Sequence, residues 1–340
     1  MTFDRRHFLT TSALATGGFF SGCSEPAAPD APLSSESPFE ISLAQWSLHK
    51  MLRAGELDNL DYPKFTKETF GLTAVEWSNH FFFVEDDTLG YQPKDQAYLA
   101  EMKKRGDDLG VASLLIMCDR VGNLGDPDIT KRTAAVEGHY KWLDAAKFLG
   151  CHSIRVNAAS DPGLNPENQA DLCTEGLRRL SEHAAPMGLN VIVENHGGLS
   201  SNGAWLANVI RNVGLDNCGT LPDFGNFYVV RNRGDAEQYT KAKAPYLGDP
   251  AYTEDAKGLA YDRYQGTKEL MPYAKGVSAK SHDFDEAGNE IHTDYTKMIQ
   301  IVKGSGYRGH IGIEYEGSEL GEVEGIHKTV ALLRRTFAAV

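Results

Sequence analysis

The amino-acid sequence predicts an α/β protein built as one (β/α)8 barrel, with a short leader and tether ahead of it. Three observations predict this. From about residue 39, short apolar runs alternate with segments of helical periodicity, the pattern of a parallel sheet covered by helices. The runs number eight, as a closed barrel needs. The chain has 340 residues, which leaves room for a single barrel of roughly 250 residues or more.

The first residues stand apart from that pattern. Arg5-Arg6-His7-Phe8-Leu9 precedes a mildly apolar stretch, TSALATGGFF, and then Phe20-Ser21-Gly22-Cys23. Residues 1–23 resemble a twin-arginine export signal, and their last four resemble a lipobox with Cys23 as the lipidated residue. The apolar stretch is too short and glycine-rich to span a membrane. Residues 24–38, SEPAAPDAPLSSESP, hold Pro, Ala, Ser and acid with little to bury, and read as a flexible tether. The expected location is the periplasm, free or anchored to the membrane through the lipid.

The domain then runs from 39 to 340. Strands are expected to end near 44–47, 75–77, 114–117, 154–157, 192–194, 220–223, 277–280 and 312–314. Helices are expected over 96–109, 130–149, 168–187, 205–213, 293–304 and 323–336. Gly110, Gly150, Gly188 and Gly306 stand where a helix must stop and reverse before the next strand. The restarts LGVAS, LGCHSIRV and MGLNVIV repeat the same unit. Residues 231–269 exceed an ordinary connection, and Tyr239, Tyr246, Tyr252, Tyr261 and Tyr264 predict an ordered cap near the rim.

Composition narrows the partners. With 34 basic and 47 acidic residues the net charge is −13, against a nucleic-acid backbone as ligand. The balance fits an enzyme of neutral or weakly charged substrates, although surplus surface acid also simply keeps a protein soluble. Cys118, Cys151, Cys173 and Cys218 lack metal-site or framework spacing and are expected as core thiols.

Four consecutive runs, five to eight, each end in a metal-ligating residue. They read VIVENHGG with Glu194, GTLPDFGN with Asp223, GVSAKSHDF with His282 and HIGIEYEG with Glu314. In such barrels active sites lie where strands meet their following loops. A single carboxylate there is commonly an ion-pair partner or a cap, but three carboxylates and a histidine on successive strands ask for a shared cause. Carboxylates crowded at a barrel mouth repel one another, and one divalent cation (Mn, Mg, Co or Zn) keeps them ionised. Residues 278, 280 and 282 share one face of a strand. His282 points inward if that strand extends far enough; otherwise Lys280 occupies the site as a substrate-binding cation.

From Ile41 onward the chain resembles the xylose isomerase-like TIM barrel superfamily of sugar (phosphate) isomerases and epimerases. The matching pieces are SLAQWS, VEW, ENHGG, DFGN, K-x-x-D-F-D-x-x-G-N and IEYEG. The resemblance implies a metal held by Glu194, Asp223, His282 and Glu314. Members often carry His-x-Lys-Asp on strand seven, and aligning on Lys280 puts Ser278 at that ligand position. It also implies proton removal beside a carbonyl through a cation-stabilised enediolate, with Glu194 and Glu314 as the acid–base pair. Glu76, Arg155, Asn157, His196 and Asn226, near strand ends, are candidates to bind sugar hydroxyls; Trp46 and Trp77 are candidates to stack on a sugar face. Glu76 with Arg155 as a buried ion pair, and the tryptophans as core, are the plainer alternatives.

The expected activity is isomerisation or epimerisation of a free sugar or keto-sugar. Relatives that hydrate or dehydrate 3-keto sugar derivatives in glycoside breakdown supply a second expectation, which an export signal favours over phosphorylated substrates. A non-catalytic sugar-binding lipoprotein is the third. The superfamily's DNA-repair endonucleases fit neither the acid excess nor the leader. A sugar is thus the expected partner, the membrane enters only through the lipid anchor, and the oligomeric state stays open.

Overall fold

The chain lays down eight parallel strands: β1 (Phe39–Ala44), β2 (Ala74–Ser78), β3 (Ala112–Met117), β4 (Ser153–Val156), β5 (Asn190–Glu194), β6 (Cys218–Leu221), β7 (Val277–Ser281) and β8 (Gly309–Tyr315). They pair in the order β7-β8-β1-β2-β3-β4-β5-β6. Between β6 and β7 the ladder thins to two isolated parallel bridges, Thr220 to Ala274 and Asp223 to Ser278, which bring the sheet round into a barrel. This is a computed structural model; it describes residues 38–231, 243 and 248–340, all within the unit Ser34–Val340. The twin-arginine-like segment with Cys23, the tether up to residue 37, and Tyr239 and Tyr246 of the expected cap lie outside the described residues.

Nearly every strand residue is buried, because helices cover the outer face of the sheet while side chains fill its interior. Six of the described α-helices start on a capping side chain. Asp95, Asp128, Asn165, Asn202, Asp262 and Asp294 each accept a hydrogen bond from a backbone N–H of the first turn. Gly110, Gly150 and Gly188 close helices in the left-handed conformation, as the sequence predicts.

One expected helix is two, Ile129–Gly138 and Tyr140–Leu149. His139 breaks it. Its Nδ1 lies 2.7 Å from the Ala135 carbonyl oxygen, the group its own N–H would otherwise reach, and that N–H turns to Val136 instead. Gly138 meets the loop after β2 closely, since a Cβ there would lie 2.8 Å from the Leu89 oxygen.

Two small sheets dress the rim. Phe83–Asp86 and Gly90–Pro93 form a hairpin after β2. After β6, Tyr228–Val230, Tyr252–Glu254 and Leu259–Tyr261 form an antiparallel sheet over a separate apolar cluster that includes Phe227, Val229 and Leu259. This is the described part of the cap. Cys118, Cys151, Cys173 and Cys218 are buried free thiols. Among the described residues no helix is long and apolar enough to cross a membrane.

Candidate active site

Three carboxylates meet at the C-terminal mouth. Glu194 ends β5, Asp223 follows β6 and Glu314 stands near the end of β8; one oxygen of each lies within 4.8 Å of the others, and all three are buried. The local sequence holds each in place. Asn195 accepts from the Asp223 N–H at 2.7 Å and donates to the carbonyls of Asp223 and Asn226, joining the β5 and β6 loops. In the DFGN turn, the N–H groups of Gly225 and Asn226 both donate to Asp223 Oδ1 at 2.8 Å, which leaves Oδ2 for the cluster. Asn226 Nδ2 donates to Glu194 Oε1 at 2.9 Å.

Two buried cations offset this charge. Arg155 Nε lies 2.9 Å from Glu194 Oε2, although the pair is not aligned as a hydrogen bond. Lys280 Nζ lies 3.4 Å from Glu314 Oε2, 3.9 Å from Asp223 Oδ2 and 3.2 Å from Glu316 Oε2. Burial by itself would lower the Lys280 pKa, but these carboxylates outweigh it and hold the ammonium above its usual value. Burial pushes Glu314 well up, with Glu194, Glu316 and Asp223 adding to the rise against Lys280. Asp223 is raised by burial and by Glu194 against the pull of Lys280.

Ser278 fills the remaining side of the cluster. Its hydroxyl lies 2.7 Å from Asp223 Oδ2 and 3.1 Å from Glu314 Oε2. Three buried carboxylates and a hydroxyl, with no imidazole among them and with Glu194 Oε2 receiving no hydrogen bond, form an oxygen donor set that fits a hard divalent cation.

Above the cluster is a cavity of about 380 Å³, bordered by Trp46, His80, Arg120, Arg155, His196 and Glu314. Asp119 organises one wall, with its Oδ1 accepting from Arg155 Nη1 and from Asn157 Nδ2, each at 2.8 Å. Burial would raise the Asp119 pKa, but Arg155 prevails and holds it well below the carboxylate range. His80 Nδ1 is 3.8 Å from Asp119 Oδ2, and burial lowers its pKa. Arg120 adopts φ 58, the one non-glycine residue with positive φ among those described.

The sequence candidates divide accordingly. Glu194, Asp223, Glu314 and Lys280 come together. Arg155 and His196 border the cavity, Asn157 stands beside it on Asp119, and Asn226 braces Glu194 while accepting from Arg231. Trp46 lies in the cavity wall, whereas Trp77 is core. Two candidates fall elsewhere. His282 does not join the cluster as a metal ligand. β7 pairs with β8 so that Lys280 is level with Glu314, and the strand ends at Ser281. His282 therefore leaves the barrel, borders a larger outer cavity with His292 and Asp283, and is lowered to about 4 by burial and then by Lys280.

Glu76 is not at the mouth either, so it does not bind substrate there. It lies a layer deeper over Gly312, accepts from Ser42 Oγ at 2.7 Å, and faces a small cavity at the opposite end of the barrel with Lys275 and His310. Burial raises its pKa to about 7. Arg155 pairs with Asp119 and Glu194 rather than with Glu76.

Asp119 and Glu316 are the site residues that sequence reasoning missed, whereas Ser278 stands where the alignment on Lys280 put it. Asp119 follows the apolar run SLLIMC just as Asp223 follows its own, so the same strand-end rule finds it.

Comparison with known proteins agrees with this architecture. Residues 65–336 match the profile of the family described as xylose isomerase-like TIM barrel. A stretch of 99 residues is 40% identical to the C-glycoside deglycosidase alpha subunit of Arthrobacter globiformis, covering 26% of this chain and 28% of that protein. The fold is similar to a sugar phosphate isomerase/epimerase from Parabacteroides distasonis, with TM-score 0.60 and 15% identity over 90% of this chain and 96% of the other. It is also similar to a 3-keto-D-glucoside 4-epimerase from E. coli, with TM-score 0.56 and 14% identity over 82% and 94%. By fold, by the profile match and by the strand-end carboxylates, the chain belongs to the xylose isomerase-like TIM barrel family.

Proposed function

We propose that this barrel is a sugar isomerase or epimerase that removes and returns a proton beside the carbonyl of a sugar or keto-sugar. The observation that carries the reading is the buried trio Glu194, Asp223 and Glu314 beneath an open cavity, with Lys280 and Arg155 set against it. Glu194, held by Asn226 and faced by Arg155, is placed to take the proton. Glu314, whose pKa burial raises, is placed to carry and return one. Arg155 fixes Glu194 and Asp119 together, while Trp46 offers a flat apolar wall to a sugar ring. Glu194, Asp223 and Glu314 would hold a divalent cation, which would supply stabilisation of the negative charge that develops on the substrate. The oxygen donor set favours Mg or Mn over the softer candidates.

The stretch shared with a C-glycoside deglycosidase subunit favours a second reading, elimination from a 3-keto-glycoside. The same proton leaves, but the substituent on the next carbon then departs with its bonding electrons and takes up a proton. A twin-arginine-like leader is consistent with glycosides met outside the cytoplasm.

Incubation in heavy water with ketoses and 3-keto-glucosides, followed by NMR, separates these readings. Deuterium in a recovered or epimerised sugar supports isomerisation; release of the substituent or loss of water supports elimination. No exchange with any sugar sinks both, and leaves a binding protein. Replacing Glu314 by Gln should slow exchange by about 100-fold or more.

A further inference from the structure

We infer that the chamber between the loops after β4 and β5 is a subsite for an aryl aglycone, attached to a sugar ring that lies over Glu314. This rests on the sugar reading above and serves either of its reactions on a glycoside. The chamber, about 340 Å³, adjoins the reaction cavity: His196 borders both. Asn157 stands at the boundary, on the same Asp119 oxygen that Arg155 holds from the other side. Each space is at the low end of the roughly 300–1,000 Å³ of small-molecule sites, so a single ring needs only one of them.

Their linings differ in chemistry. The reaction cavity has Asp119, Arg120, Arg155, Glu314 and Glu316 in its walls. The second chamber has no Lys, Arg, Asp or Glu at all, and instead offers Pro162, Leu164, Pro166, Leu199 and Val229. Several of its polar groups are engaged within the wall, while Asn157 Oδ1, at the boundary with the reaction cavity, has no hydrogen-bond partner. Gln169 Nε2 donates to the Leu164 carbonyl at 2.8 Å, Ser160 Oγ to the Gly125 carbonyl at 2.5 Å, and Ser200 Oγ to the Gly197 carbonyl at 2.7 Å. A second sugar would lose water from its hydroxyls and find no charged partner here, at a cost in desolvation. A flat apolar group loses nothing comparable and gains burial. Gly197 and Gly198, with φ 92 and 58 and nothing within 4 Å of a notional Cβ, leave bare backbone for a ring to approach.

Calorimetric titration of the whole protein with methyl and phenyl β-D-glucopyranoside tests this, since neither has the ketone needed for turnover. Phenyl glucoside should bind about tenfold or more tightly than methyl glucoside. Ala159→Trp, which fills the chamber, should reduce that ratio to below about threefold while methyl glucoside binding stays within about twofold. Leu164→Ala, on a half-exposed loop, should lower the ratio without crowding the wall. Equal binding of the two glucosides overturns the inference, as does a ratio that survives both substitutions. If methyl glucoside does not bind while phenyl glucoside does, the sugar reading fails; if neither binds, the subsite falls with it.

Discussion

The hydroxyl of Ser278 puts an oxygen between two buried carboxylates, Asp223 and Glu314, where an imidazole would make the donor set softer. Ser278→Ala should weaken Mn binding, and Ser278→His should bind Zn at least about tenfold more tightly than the native chain, read by calorimetry. Unchanged Zn affinity in Ser278→His would show that position 278 is not a corner of the site. Glu76 makes a pH-dependent prediction. Its folded pKa of about 7 lies above its ordinary value near 4.5, so the folded state holds a proton that the unfolded chain has lost. That contribution is complete below pH 4.5 and is lost as pH rises to about 7. Between those limits, denaturation free energies of Glu76→Gln should shift by up to about 3 kcal/mol in favour of the variant relative to the native protein. A pH-independent difference would place the titration elsewhere. At this scale the sequence was legible where a charged residue ends an apolar run, as at Glu194, Asp223 and Glu314. At Ser278 only the alignment on Lys280 pointed to the position, because a hydroxyl has no distinctive chemistry until two carboxylates flank it. Depth was hidden as well, since Glu76 and Glu314 both look inward and only the register separates their layers.

Elements were easier to read than their ends. Helix and strand periodicity located the eight βα units, yet the end of β7 at Ser281 decided the fate of His282, and one residue of overrun would have reversed it. The break at His139 was equally invisible, because it depends on a side chain competing for the Ala135 carbonyl. Packing between β2 and β8 is testable. Gly312 lies against the Glu76 carboxylate, and a Cβ there would land on it. Gly312→Ala should cost about 1–3 kcal/mol of stability by chemical denaturation. Most of that cost should vanish in a Glu76→Ala background, because the two positions share one contact. Additive effects would place the strain elsewhere.

On the scale of the molecule, a ligand that binds the folded barrel alone must stabilise it by mass action. Mn at about 100 times its dissociation constant should add about 2.7 kcal/mol and raise the unfolding temperature by several degrees. Glu194→Gln or Asp223→Asn should abolish the rise, and a chelator should reverse it. A shift that persists in both variants would mean that the ion binds somewhere else. The barrel seam gives this coupling a mechanical form. The other neighbouring strands join through runs of paired residues, but β6 and β7 meet through two bridges, one of them Asp223 to Ser278. The backbone bonds of that bridge run from Phe224 N to Ser278 O and from Ser278 N to Pro222 O, at 3.0 and 2.9 Å. That stave joint is thus riveted by Asp223 and Ser278, two residues of the buried polar cluster. Occupancy of the site should tighten the hoop, slowing amide hydrogen exchange at Phe224 and Ser278 first, before any change reaches the strands on the far side.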